Sequence, residues 1–111
     1  MNEVSGEQVK AALREGTVLP LMDALYVYSP FCGTCRLAER LLEVVNESLP
    51  DCRLMKLNIM RHPDLAAQLR IKSVPCVIKW HSSHPEKQSK YIYAMHSVTH
   101  LYEELQGRFD Q

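Results

Sequence analysis

Residues 24–28, Ala-Leu-Tyr-Val-Tyr, are an uncharged run of strand-forming types, the pattern of a strand buried on both faces. Just beyond it the period changes. Leu37, Ala38, Leu41, Leu42, Val45 and Leu49 recur at helical spacing, with Arg36, Glu39, Arg40, Glu43 and Glu47 on the other face. Upstream, Ser5 followed by Glu7, Gln8, Val9, Ala12 and Leu13 predicts a capped amphipathic helix ending at Gly16. Residues 17–22 are apolar but contain Pro20, which favours a connector or edge segment over a central strand. Pro50-Asp51 stops the long helix, residues 53–59 read as a second central strand, and residues 63–70 open a short helix with proline, carrying Leu65, Ala66 and Leu69 on one side. Residues 71–80 form a strand with Pro75 at its mouth, residues 81–89 a polar hairpin loop, and residues 90–94 the antiparallel return strand. Ser97 then caps a last helix with Leu101, Tyr102 and Leu105 inward and Gly107 near its end. The alternation of strand and helix implies right-handed crossovers and a central sheet with parallel members.

Composition narrows this picture. At 111 residues and 46% hydrophobic content, one domain over residues 1–111 can bury a real core. Thirteen basic and thirteen acidic residues cancel, and no window concentrates either sign, so neither nucleic acid nor an anionic membrane is an expected partner. The first seven residues lack the basic and apolar blocks of a signal peptide, and no apolar run is long enough to span a bilayer. The expectation is a cytoplasmic monomer.

Four cysteines in a reducing compartment do not suggest a structural disulfide framework. Cys32 and Cys35 stand two residues apart where the apolar strand gives way to the long helix. A C-x-x-C of this kind is half a zinc site or a redox pair. Zinc needs two more ligands, and Cys52, Cys76, His62, His81 and His84 show no second paired spacing. At a strand-to-helix junction, the unpaired N–H groups and partial positive charge of the first helical turn favour a thiolate at Cys32. Cys35, one turn further in, is expected to be less exposed and near enough to attack Cys32 when Cys32 is joined to something else.

Other residues have two readings each. Asp23 is a functional acid or a solvated strand start. Pro75 simply begins its strand, or forms a cis bond facing the thiols that leaves the N–H and C=O of Val74 open to an extended peptide. Cys76 is a third redox thiol or cluster ligand, or a small buried hydrophobe. His81 with His84 is a metal pair or a solvated turn, and Cys52 is a bystander.

The order of elements, Cys32-Gly33-Thr34-Cys35 at its junction, Lys56-Leu57-Asn58-Ile59 and Ser73-Val74-Pro75 together resemble the thioredoxin family over nearly the whole chain. The chain looks most like its small members from Gram-positive bacteria with a Pro-Phe-Cys-Gly-Thr-Cys site. The resemblance implies the thioredoxin fold, an α/β domain whose central mixed β-sheet carries helices on both faces. It also implies a thiol–disulfide oxidoreductase, a protein-disulfide reductase of cell redox homeostasis, with Cys32 attacking and Cys35 resolving. Pro75 becomes the family's cis-proline. Phe31, Gly33, Thr34, Ile59, Val74, Pro75 and Ala94 become a substrate-docking rim, and Lys56 a lysine beneath the thiols. No cofactor beyond the Cys32–Cys35 disulfide and no metal are implied. The implied partners are disulfide-containing proteins, with a thioredoxin reductase or a low-molecular-weight thiol as electron donor.

Three departures stand out. Phe31 replaces a tryptophan, losing an indole donor. Thr34 replaces the proline between the cysteines, adding a hydroxyl that can stabilise a thiolate. Tyr26 occupies the place of a buried aspartate that helps deprotonate the resolving thiol, so tuning of that thiol would fall to Tyr26, Lys56 and water. That loss supports an alternative class, a module that binds a peptide or metal around Phe31 and Pro75 with little redox turnover.

Overall fold

The uncharged run at 24–28 is the middle strand of a five-stranded sheet. In chain order the elements are β1 (Asn2–Glu3), α1 (Gly6–Glu15), α2 (Val18–Leu21), β2 (Ala24–Tyr28), α3 (Gly33–Ser48), β3 (Leu54–Asn58), α4 (Pro63–Leu69), β4 (Cys76–Lys79), β5 (Lys90–Ile92) and α5 (Val98–Gln106). This computed structural model describes residues 1–81 and 89–106. Most of the expected loop at 81–89, with His84, and the expected Gly107 stop lie outside the described residues.

The sheet order is β1-β3-β2-β4-β5. β1 and β2 both run parallel to β3, whereas β4 is antiparallel to β2 and β5 to β4. The sheet is therefore mixed. Alternation along each strand sends side chains to two cores. On one face Leu25, Val27, Leu57, Cys76 and Ile78 pack with Val9, Ala12, Met22, Leu65 and Leu69 from the α1, α2 and α4 side. On the other, Ala24, Tyr26, Leu54, Val77 and Ile92 meet Ala38, Leu42 and Val45 of α3 and Leu101 and Leu105 of α5. Each fully buried aliphatic side chain contributes about 1.5–3 kcal/mol, so these two layers fix β2 and α3 relative to each other.

Local signals set most boundaries. Ser5 Oγ accepts from Gln8 N at 3.1 Å while the Gln8 side chain accepts from Ser5 N at 2.8 Å, and Gly16 ends α1 at φ 67°. Pro63 opens α4, and Ser97 Oγ accepts from His100 N at 3.1 Å to cap α5. The His62 ring packs against Gly6, and a Cβ there would stand 2.6 Å from it, so a larger residue would displace the ring.

The differences from expectation are specific. β1 was not legible, because two exposed polar residues carry no period; it is defined by its pairing to the edge of β3. Residues 17–22 are a short helical turn broken at Leu19, neither strand nor plain connector. The strand expected from residue 71 begins only at Cys76. Leu37, expected on the buried side of α3, is 57% exposed, because the inward arc runs through Cys35, Ala38, Leu42 and Val45. Asp23 starts β2 from solvent, its carboxylate taken by Arg53 at 2.7–3.3 Å.

Candidate active site

β2 ends at Tyr28 and the chain turns through Ser29, Pro30 and Phe31 into α3, with Cys32 as its N-cap. Cys32 N donates to Ser29 O at 3.2 Å, which closes the turn. Cys32 and Cys35 are joined as a disulfide, their Cα atoms 5.2 Å apart. Cys32 is half-buried and Cys35 is buried.

Two groups hydrogen-bond to the Cys32 sulfur. The backbone N–H of Cys35 donates to it at 3.2 Å. The Thr34 hydroxyl lies 3.3 Å away and, since a disulfide sulfur carries no proton, is the donor. Both are available to a thiolate at the same place, where charge strengthens such bonds. From across the groove the Val74 carbonyl oxygen lies 4.0 Å from Cys32 Sγ, and the Val74–Pro75 peptide bond is cis. Among the described residues, neither the N–H nor the C=O of Val74 is engaged by a backbone partner.

Around these atoms the rim expected from sequence is distributed unevenly. Phe31 is 83% exposed, and Gly33, Thr34 and Ala94 are also exposed. Ile59 and Val74 are half-buried against the core of the α4 face, and Ile59 N donates to Tyr28 O at 3.0 Å just before the thiol turn. Pro75 is half-buried. Ala94 sits two residues beyond β5.

Beneath α3 the sheet carries a polar cluster. Tyr26 OH donates to the Cys35 carbonyl oxygen at 2.6 Å. Burial, with the nearby Glu39 charge, raises the Tyr26 pKa strongly, so the phenol holds its proton. Its ring stacks on Tyr28 at 5.6 Å. Burial and a 2.9 Å bond to Glu3 push the Tyr28 phenol up to about 12. Lys56, opposite Tyr26 in the β2–β3 register, stands 5.9 Å over the Tyr28 ring and binds Glu39 Oε2 at 3.1 Å. Glu39 is the residue sequence reasoning missed: it reads as part of the solvated face of α3, yet it reaches inward. Its position four residues after Cys35 was the available signal.

The other cysteines differ. Cys76 is fully buried on the opposite face of the sheet, where burial pushes its thiol up to about 11, partly offset by a Tyr93 hydrogen bond. Cys52 is half-buried and its thiol is likewise raised by burial. Among the described residues, no group of three or more His, Cys, Asp or Glu could hold a metal ion, and no helix is long and apolar enough to cross a membrane.

Comparison with known proteins agrees with this geometry. The family model described as Thioredoxin matches residues 4–105. Thioredoxin-like protein YusE of Bacillus subtilis is 44% identical over 79 residues, 71% of this chain and 72% of that protein. Among solved structures, chloroplastic thioredoxin z aligns with a TM-score of 0.72 at 23% identity, covering 96% of this chain and 91% of its own. Fasciola hepatica thioredoxin aligns with a TM-score of 0.71 at 15% identity, covering 96% and 97%. At these identities the two structures speak for the fold alone.

Proposed function

The chain belongs to the thioredoxin family and has the thioredoxin fold, and on that premise we propose that it is a protein-disulfide reductase working through Cys32 and Cys35. Family, fold and the Cys32–Cys35 disulfide together support thiol–disulfide oxidoreductase chemistry. The observation that carries the finer reading is the surroundings of Cys32: a half-exposed sulfur at a helix N-terminus, with the Cys35 N–H and the Thr34 hydroxyl on it and a buried second thiol behind it.

In the reduced protein, the Cys32 thiolate attacks one sulfur of a substrate disulfide. A Cys32–substrate bond forms, the substrate S–S bond breaks, and the departing substrate sulfur takes up a proton. Cys35 then loses its proton and attacks Cys32; the Cys32–Cys35 bond forms and the second substrate thiol leaves. Two electrons pass to the substrate. Phe31, Gly33, Thr34, Ile59, Val74, Pro75 and Ala94 supply the docking rim, with the open backbone of Val74 pairing to an extended segment. Tyr26 fixes the first turn of α3 through the Cys35 carbonyl, and Lys56 sets the charge beneath it. Residues 1–111 act as one domain and as a monomer, in cytoplasmic redox homeostasis. Thioredoxin reductase or a low-molecular-weight thiol returns the electrons.

The test is NADPH consumption with thioredoxin reductase and insulin, comparing the chain with Cys32→Ser. Turnover that depends on Cys32 is expected. Turnover with dithiothreitol but not with the reductase keeps the chemistry and changes the donor. Silence with both overturns the reductase reading in favour of a peptide-binding module.

A further inference from the structure

The resolving step needs somewhere for the Cys35 proton to go, and β2 sets a phenol, not a carboxylate, beneath Cys35. Tyr26 fills that place with its hydroxyl already donating to the Cys35 carbonyl, and burial keeps the phenol protonated. The carboxylate that does enter the region comes from the helix. Glu39 follows Cys35 by one turn, a spacing that puts Cβ atoms about 5–6 Å apart on one helix face. Unlike its exposed neighbours Arg36, Leu37 and Arg40, it is half-buried. Its carboxylate is drawn toward the sheet by Lys56, with Nζ to Oε2 at 3.1 Å.

We propose that Glu39, held inward by Lys56, is the proton acceptor for Cys35 when Cys35 resolves the mixed disulfide. The proposal rests on the reductase reading above. The Cys35 S–H bond breaks and its proton passes to the Glu39 carboxylate, directly or through one water. The Cys35 sulfur attacks Cys32, the Cys32–Cys35 bond forms, and the substrate thiolate leaves and is protonated. Glu39 then returns its proton to solvent through a shallow hollow of about 290 Å³ that it lines with Arg36, Arg40 and Glu43.

Groups of β2, β3 and α3 itself bear on Glu39, and among the described residues none of α5, which packs on α3, is seen to act on it. Lys56 of β3 binds it, and Tyr26 and Tyr28 of β2 both sense its charge. Glu3 of β1 is held off by its bond to Tyr28 OH, and on α3 Glu43 is taken by the N-terminal amine of Met1 at 2.6 Å. Arg36 and Arg40 line the outer side. Lys56 keeps the carboxylate in place; with Glu39 neutralised, its unshielded positive charge would favour a Cys35 thiolate and speed the step. The acceptor role and simple charge screening therefore predict opposite signs.

Reduced protein mixed with the aryl disulfide dithiobis(nitrobenzoate) releases one coloured thiol when Cys32 attacks and a second when Cys35 resolves. Stopped-flow absorbance across a pH series is compared for wild type, Glu39→Gln and Glu39→Asp. Support for the acceptor is a fall in the ratio of second to first rate on the order of tenfold or more in Glu39→Gln. The same variant should recover the wild-type ratio only at higher pH, and Glu39→Asp should restore part of it. An unchanged or faster second release in Glu39→Gln overturns the proposal. With Cys52→Ala added to remove that half-buried free thiol, a first release that survives Cys32→Ser overturns the reductase reading and the proposal with it.

Discussion

Cys35 and Cys76 are both buried cysteines close to the same site, at 3% and 0% exposure, yet the chain surrounds them with opposite chemistry. Cys35 lies in the first turn of α3, its carbonyl bonded by Tyr26 and the Lys56–Glu39 pair one turn away. Cys76 immediately follows the cis Val74–Pro75 bond, but its side chain enters the apolar core on the other face of the sheet, and burial raises it to about 11. Burial without a charged partner disfavours the thiolate. On the reductase reading, the face of the sheet to which a thiol points decides its reactivity, and nearness to the site along the chain does not.

Breaking the pair in turn gives the largest effect first. Cys35→Ala should reduce multiple-turnover insulin reduction to background, whereas Cys76→Ala should leave it at the wild-type level; parallel turnover assays check both. Next comes the alkaline limb of stability. A thiol raised from 9.0 to about 11 on folding favours the folded state fully below pH 9, and that contribution is lost as pH rises through about 11. With two pKa units involved it amounts to about 3 kcal/mol at most. Thermal melts should therefore fall over this range in wild type and less steeply in Cys76→Ala, with Tyr28, raised to about 12, extending the loss in both. At neutral pH, Cys76→Ala should cost about 1–2 kcal/mol in denaturant titrations, the cost of a small cavity. The smallest effect is expected for Tyr26→Phe, which removes the 2.6 Å bond to Cys35 O for about 1 kcal/mol. Activity loss in that variant should appear in the second, resolving phase.

Much of this contrast was legible in the sequence, since it depends on local signals. The change of period between residues 28 and 33, the Ser5 and Ser97 caps and the spacing of Cys32 and Cys35 are all readable within a few residues. Strand alternation likewise sends Cys76 into the core. What was not legible depends on partners distant in the chain. β1 exists because β3 offers it an edge. Gly6 meets the His62 ring, 56 residues away in the chain. Glu39 looks like any polar residue of an amphipathic helix until β3 brings Lys56 beneath it.

The most direct measurement is a trapping experiment with Cys35→Ser. The reduced variant is mixed with oxidised insulin, and the product is digested and mapped by mass spectrometry. The expected result is a single dithiothreitol-sensitive adduct on Cys32, with Cys52 and Cys76 unmodified. No adduct, or an adduct carried by Cys52 or Cys76, would contradict the account.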